Sequence, residues 1–365
     1  MENHFQKFPH QVIGVSEDSV ADHVWLSRFR NHLLKRVAPV SAESFRASIE
    51  PIFMARSIAN AHRGLSIELV IALAHGRLGL HAWRVARHLG VPCVTIFHDW
   101  WPEMLRSYHG SNDAYIRNVS RDFANAQRYS DLCLAVCPGM ARLLKESNAT
   151  TVLYPMPDKN VSQRTRSSTG EVLQVVYTGS LWSPYGKLIT GLMQEAVGNS
   201  SFELRVYGNT SYLSKDAVQK FTHSGMLHPY IAVDAYHEAI SNKADVLLAV
   251  MGANEKSSIR MTSSFPSKVA NYFQTGNAVI LWAPEESSLG QFCKDFNYPW
   301  WVPSQNARDV IWMLERLRSE PTELERARID AARIRNDVFN PELLQRIFED
   351  SLLSLCGRMR QTSSN

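Results

Sequence analysis

Short, nearly unbroken apolar runs alternate along this chain with longer amphipathic stretches. Such alternation predicts a parallel sheet covered by helices, its strands buried on both faces. In the first half the pattern predicts strands at Glu68–Ala74, Pro92–Phe97, Asp131–Val136 and Thr151–Tyr154, with helices at Leu78–Leu89 and Asn118–Tyr129. The same rhythm restarts downstream. Strands are predicted at Val172–Thr178, Phe202–Tyr207, Ala244–Val250 and Ala278–Leu281, and helices at Lys187–Val197, Ala235–Asn242 and Ser267–Thr275. Beyond Asn306 the pattern is helical, and Pro341 opens a last amphipathic stretch from Glu342 to Cys356 whose apolar face is expected from Leu344, Ile347, Leu352, Leu353 and Leu355.

Between Pro155 and Gly170 two prolines, Asp158 and a Ser/Thr/Arg-rich run offer no periodic apolar face, so a domain boundary is placed there. The chain of 365 residues is long enough for two domains of ~150 residues. The expected division is 1–160 and 171–340, each an α/β Rossmann-like half, followed by a terminal helix and polar tail at 341–365.

Composition narrows the function classes. With 45% apolar and 20% charged residues the chain reads as an ordinary globular protein, not a disordered, coiled-coil or collagen-like one. Its 39 basic and 35 acidic residues leave a formal charge of +4 without a basic stripe or nucleic-acid motif, so no nucleic-acid partner is expected. The five cysteines lack the paired short spacings of a zinc site or a disulfide framework, which fits a cytoplasmic location. The apolar runs Leu69–Ala74 and Val246–Gly252 fall well short of the ~20 residues that span a bilayer, and Met1–Ser16 lacks a signal-peptide core. Trp25–Val37 carries Arg28, Arg30, Lys35 and Arg36 beside apolar residues at helical spacing. That stretch reads either as a domain helix with a solvated basic face or as a peripheral contact with the inner face of a membrane.

In open α/β sheets ligands gather where strands end, so polar residues directly after a buried strand are the first candidates. His98-Asp99-Trp100-Trp101-Pro102-Glu103 follows one such strand and combines a base, two carboxylates and two large aromatics. It reads either as a site for a sugar hydroxyl and a proton or as a capping loop whose tryptophans fill the core. Ser263-Ser264-Phe265-Pro266-Ser267-Lys268 precedes a helix, where free N–H groups, the Ser267 hydroxyl and the Lys268 ammonium suit an anion; a plain helix start reads the same way. Thr178-Gly179-Ser180-Leu181 closes the first strand of the second half, with Lys187 at the next helix start. No GxGxxG, GxxxxGK[S/T], DxD, HExxH, G-x-S-x-G or CxxC pattern occurs, so a site without metal or bound cofactor is expected.

These segments, in this order, resemble glycosyltransferase family 4, whose members have the GT-B fold. Phe265-Pro266-Ser267-Lys268-Val269-Ala270-Asn271-Tyr272 through Gly276 to Ile280 is similar to the family's P-S-K-x-x-E-Y-x-x-x-G-x-P-V-I stretch, Val176–Leu181 and Leu204–Gly208 are similar to the strands that open its donor domain, and Phe97–Glu103 resembles its H-D-x-W-P-E segment. The resemblance implies two Rossmann-like domains facing across a cleft, with the last helix returning to the first. It also implies retaining, metal-independent transfer of a sugar from a nucleotide-sugar to a polysaccharide or lipid-linked acceptor. By it, Gly179, Ser180 and Lys187 line the diphosphate, with Tyr207 and Gly208 beside them. Pro266, Ser267 and Lys268 meet the phosphates or the sugar, Asn271 faces the ribose, and His98 and Asp99 sit above the transferred sugar.

Two departures mark this chain. Asn271 and Ser263 stand where the family commonly has glutamates, and Gly14 stands alone where it has a Gly-Gly loop, which suggests a first domain short by one β-α unit. A catalytically weakened nucleotide-binding or scaffold protein, or a sugar-nucleotide epimerase, are the alternatives.

Overall fold

The computed structural model describes residues 53–62, 64–109, 113–164, 172–182, 185–252 and 258–362. The chain forms two compact units, one running to Leu153 and taking in Gln345 onward, the other Tyr154–Leu344. The Trp25–Val37 stretch and the Gly14 segment lie outside the described residues.

The first unit holds a four-stranded parallel sheet in the order β1-β2-β3-β4, formed by Val70–Leu73, Cys93–Phe97, Leu132–Ala135 and Thr150–Val152. Every residue of β2 and β3 is buried, as unbroken apolar runs require. The described helices are α1 (53–62), α2 (Gly76–Leu80), α3 (Ala82–Leu89), α4 (Trp101–His109), α5 (Asp113–Tyr129) and α6 (Pro138–Leu143). Gly90 ends α3 in the left-handed region, φ 71°, its N–H returning to the last turn. At the start of α6 the Cys137 sulfur accepts the Met140 N–H at 3.4 Å, and burial pushes that thiol up to about 11, so it acts as a neutral cap.

The second unit holds a six-stranded parallel sheet in the order β10-β9-β8-β5-β6-β7. The strands are β5 (Leu173–Thr178), β6 (Phe202–Tyr207), β7 (Leu227–His228), β8 (Val246–Val250), β9 (Ala278–Trp282) and β10 (Trp301–Val302). Between them run α7 (Tyr185–Ala196), α8 (Lys215–His223), α9 (Val233–Ser241), α10 (Ser258–Ser263), α11 (Lys268–Gln274) and α12 (Ser288–Asp295), followed by α13 (Ala307–Ser319) and α14 (Pro321–Asp337). The chain leaves β5 toward β6 on one side and returns to β8 on the other, so the order reverses between β5 and β8. This is the topological switch point, where the crevice of an open α/β sheet forms.

The last helix, α15 (Pro341–Thr362), belongs to the first unit from Gln345 on. Its buried stripe is Leu344, Phe348, Leu352 and Leu355. Leu353, expected on that face, is 64% exposed because it stands one position past Leu352, about 100° around the helix.

Candidate functional site

Geometry is densest where β5 ends. Lys268, the first residue of α11, donates its Nζ to the Thr178 carbonyl at 2.6 Å and lies 4.5 Å from the Tyr177 ring centroid. The Tyr177 hydroxyl in turn donates to the Ser180 carbonyl at 2.7 Å. The Thr178 N–H donates to the Tyr272 hydroxyl oxygen at 3.1 Å, and the Thr178 and Tyr272 hydroxyls pair at 2.8 Å. Tyr272 is fully buried, so this network fixes the strand end to α11 in a dry environment.

Glycine is required at two points of the turn. Gly179 adopts φ +140°, and a β-carbon there would lie 2.0 Å from Lys268 Nζ. The ammonium thus occupies the space that any other side chain would fill. A β-carbon on Gly208, after β6, would lie 2.6 Å from the Gly179 carbonyl oxygen and 2.8 Å from Leu181 Cγ. The Gly179 N–H donates to the Tyr207 carbonyl at 2.9 Å, which ties the two strand ends together.

No carboxylate neutralises Lys268 among the described residues. Burial lowers its pKa from 10.5 to about 8. It is therefore a mostly charged, poorly hydrated cation at pH 7, held over the Gly179 backbone.

Of the other expected donor-side residues, Ser267 is exposed at the start of α11 with no capping bond from its side chain, and Pro266 accepts the Val269 N–H. Tyr207 joins the turn through its carbonyl, while its ring stacks on His228 at 4.9 Å. Both ends of the Asn271 amide are occupied: Oδ1 accepts the Asp158 N–H at 2.8 Å and Nδ2 donates to the Tyr236 hydroxyl at 3.3 Å. Lys187 is exposed in the first turn of α7 and makes no hydrogen bond or ion pair with the turn among the described residues. The structure thus gathers Gly179, Ser180, Gly208 and Lys268 closely, and leaves Lys187 apart from that hydrogen-bonded group.

In the first unit, His98 and Asp99 follow the last residue of β2. His98 is exposed at its surface, yet desolvation by the surrounding protein lowers its pKa from 6.5, with Asp99 opposing. The neutral imidazole is favoured at pH 7. Trp100 packs on the buried Phe123 at 4.9 Å, so this part of the loop does fill the core. Trp101 lies 5.5 Å from the ring of His75, which follows β1 and is close enough to His98 to disfavour its charge. The sequence reading passed over His75, although His75-Gly76-Arg77 directly follows a buried strand and the rule that selected His98 applies to it equally.

Among the described residues no group of three or more His, Cys, Asp or Glu side chains is placed to hold a metal ion. No described helix is long and apolar enough to cross a membrane.

The sequence model of Glycosyltransferase Family 4 matches residues 3–156. A sucrose-phosphate synthase from Thermosynechococcus elongatus is similar in fold, with a TM-score of 0.58 at 12% identity over 86% of this chain and 79% of that one. A glycosyltransferase from Rickettsia africae gives 0.60 at 11% identity over 84% and 81%. The family model covers less than half of the chain, and the likeness to these solved structures shows the fold. A third structure similar in fold is that of an S. aureus TarM mutant in complex with Fondaparinux, alpha-GlcNAc-glycerol and UDP, at a TM-score of 0.56 and 7% identity over 83% of this chain and 59% of TarM. A comparison with curated protein sequences finds no match.

Proposed function

We propose that this protein is a retaining glycosyltransferase that moves a sugar from a nucleotide-sugar onto a polysaccharide or glycolipid-precursor acceptor without a metal ion, the donor diphosphate resting on the Thr178–Leu181 turn. The observation that carries this reading is Lys268, a desolvated ammonium without a carboxylate partner among the described residues, set into the β-carbon space of Gly179 beside the switch point. As the bond between the anomeric carbon and the diphosphate oxygen breaks, its electron pair stays on the diphosphate. A nearby cation in a dry site stabilises that charge more in the transition state than in the ground state. Ser267 offers its hydroxyl at the same helix start. The acceptor oxygen forms the new bond on the face the diphosphate leaves, and its proton passes to the departing diphosphate. His98 and Asp99 hold hydroxyls of the transferred sugar, the lowered pKa of His98 keeping it a neutral hydrogen-bonding partner. The UDP and glycan bound by TarM support a nucleoside diphosphate and a carbohydrate acceptor here. We assign peripheral membrane contact at the cytoplasmic face to the basic 25–37 stretch.

Incubation with a panel of nucleotide-sugars and a membrane extract tests the reading. Acceptor-dependent release of nucleoside diphosphate, lost in Lys268→Ala, is expected; turnover unchanged in that variant contradicts it. The internal bonds of Asn271 favour a second reading, a weakened enzyme that holds nucleotide without turnover. Tight binding with no release in any extract selects it.

A further inference from the structure

The segments that leave β5 and β8 flank the switch point, and one contact joins them. Arg260 on α10, downstream of β8, lies with its guanidinium carbon 4.1 Å from the ring centroid of Trp182, four residues past the end of β5. Arg260 Nη1 is sequestered from solvent and has no hydrogen-bond partner, and the side chain makes no ion pair among the described residues.

A guanidinium in that condition is unusual. It carries five donors and no acceptor, it does not lose its charge, and burying a donor unsatisfied is unfavourable. Stacking on an indole offsets part of the desolvation but satisfies no N–H. Most arginines of this unit find carboxylates: Arg164 and Arg328 share Asp245, Arg308 meets Glu195, and Arg316 meets Glu323. Arg164 and Arg328 also bury guanidinium nitrogens without a hydrogen-bond partner, but both pair with Asp245, whereas Arg260 has such a nitrogen and no carboxylate among the described residues, on the segment that leaves β8 beside the switch point. Arg260 Nη1 is already out of solvent before a ligand arrives and the guanidinium already rests against Trp182, so an anion gains more from it than from a fully solvated arginine.

We propose that Arg260 is a substrate-binding residue that clamps the donor diphosphate together with Lys268, with Trp182, just past β5, as the platform on which it stacks. The proposal rests on the donor-site reading above and deepens it. It assigns the second cation of the site to the helix before the Pro266-Ser267-Lys268 start rather than to Lys187. Two cations from successive helices of the β8–β9 connection then share the negative charge that collects on the leaving group. A planar donor fork further selects a diphosphate, with its several oxygens, over a monophosphate.

The test is calorimetric titration of the full chain with UDP, GDP and ADP, and with the matching monophosphates. The variants are Arg260→Gln, Arg260→Lys and Trp182→Leu. Arg260→Gln gives up the stack on Trp182 but no ion pair, so it should fold with a melting temperature close to that of the wild type. Its affinity for the diphosphate that the wild type binds should fall roughly 10- to 100-fold, the size of a lost charge-assisted hydrogen bond. Affinity for the monophosphate should move less than about threefold, and Arg260→Lys should restore only part of the loss. Equal diphosphate affinity in Arg260→Gln and wild type, with Lys268→Ala impaired, overturns the Arg260 assignment and leaves the donor site standing. A wild-type chain that binds no nucleoside diphosphate overturns the donor-site reading and this proposal with it. Equal losses for mono- and diphosphate overturn the diphosphate clamp.

Discussion

Lys268 makes the donor-site reading measurable through pH. Its pKa stands at about 8 in the folded chain against an ordinary 10.5. The unfolded chain therefore binds more protons than the folded one between these values, so this residue's contribution to stability rises with pH across that window. The shift corresponds to about 3 kcal/mol at most, an upper value because the residue is partly exposed. Below pH 8 the unfavourable charge is fully present, and that is what a bound diphosphate relieves. If the diphosphate returns Lys268 to an ordinary pKa, binding takes up close to one proton near pH 9. Linkage then makes affinity fall by about tenfold from pH 7 to pH 9 and about 70-fold from pH 7 to pH 10. Titration in buffers of different ionisation enthalpy reads the proton uptake directly. In Lys268→Met both the uptake and the steep decline should vanish, and the stability difference between wild type and variant should shift by up to about 3 kcal/mol between pH 8 and 10.5. A wild-type affinity that is flat from pH 7 to 10, with no proton taken up, refutes the reasoning.

Other residues respond differently. Gly179→Ala places a β-carbon 2.0 Å from Lys268 Nζ at φ +140°, so it should lower stability by about 1–3 kcal/mol and abolish nucleoside diphosphate binding, read by thermal melting and titration. Tyr272→Phe removes the buried hydroxyl from Thr178 and should cost about 1–3 kcal/mol in denaturant unfolding. His98→Ala should reduce transfer by at least about a hundredfold in a product assay while the nucleoside diphosphate dissociation constant stays within about twofold. With the His98 pKa held below 6.5, wild-type transfer should persist at pH values where an ordinary histidine is already protonated.

The strands that occupy sheet interiors were legible because burial on both faces leaves an unbroken apolar run: β2, β3, β5, β8 and β9 each fall within a predicted strand or overlap it closely. The two-residue edge strands β7 and β10 were not, since they are defined by pairing with β6 and β9 and carry no pattern of their own. Helix α8 was missed because its only buried residue is Phe221, which leaves little apolar face to see. At the site, Gly179 and Lys268 were legible as a turn glycine and a helix-start lysine. Their contact across 89 positions of sequence was not. Lys187 drew attention by proximity to the turn, yet it lies exposed on α7. Arg260 escaped notice because an arginine in a short helix has no local signature, and only the fold brings it to Trp182.

The most direct test of the account is a crystal structure of the chain with a bound nucleoside diphosphate. The account predicts phosphate oxygens within hydrogen-bond distance of Lys268 Nζ over the Gly179–Ser180 turn. A nucleotide bound elsewhere, with Lys268 still turned onto the Thr178 carbonyl and no phosphate near it, contradicts the central claim.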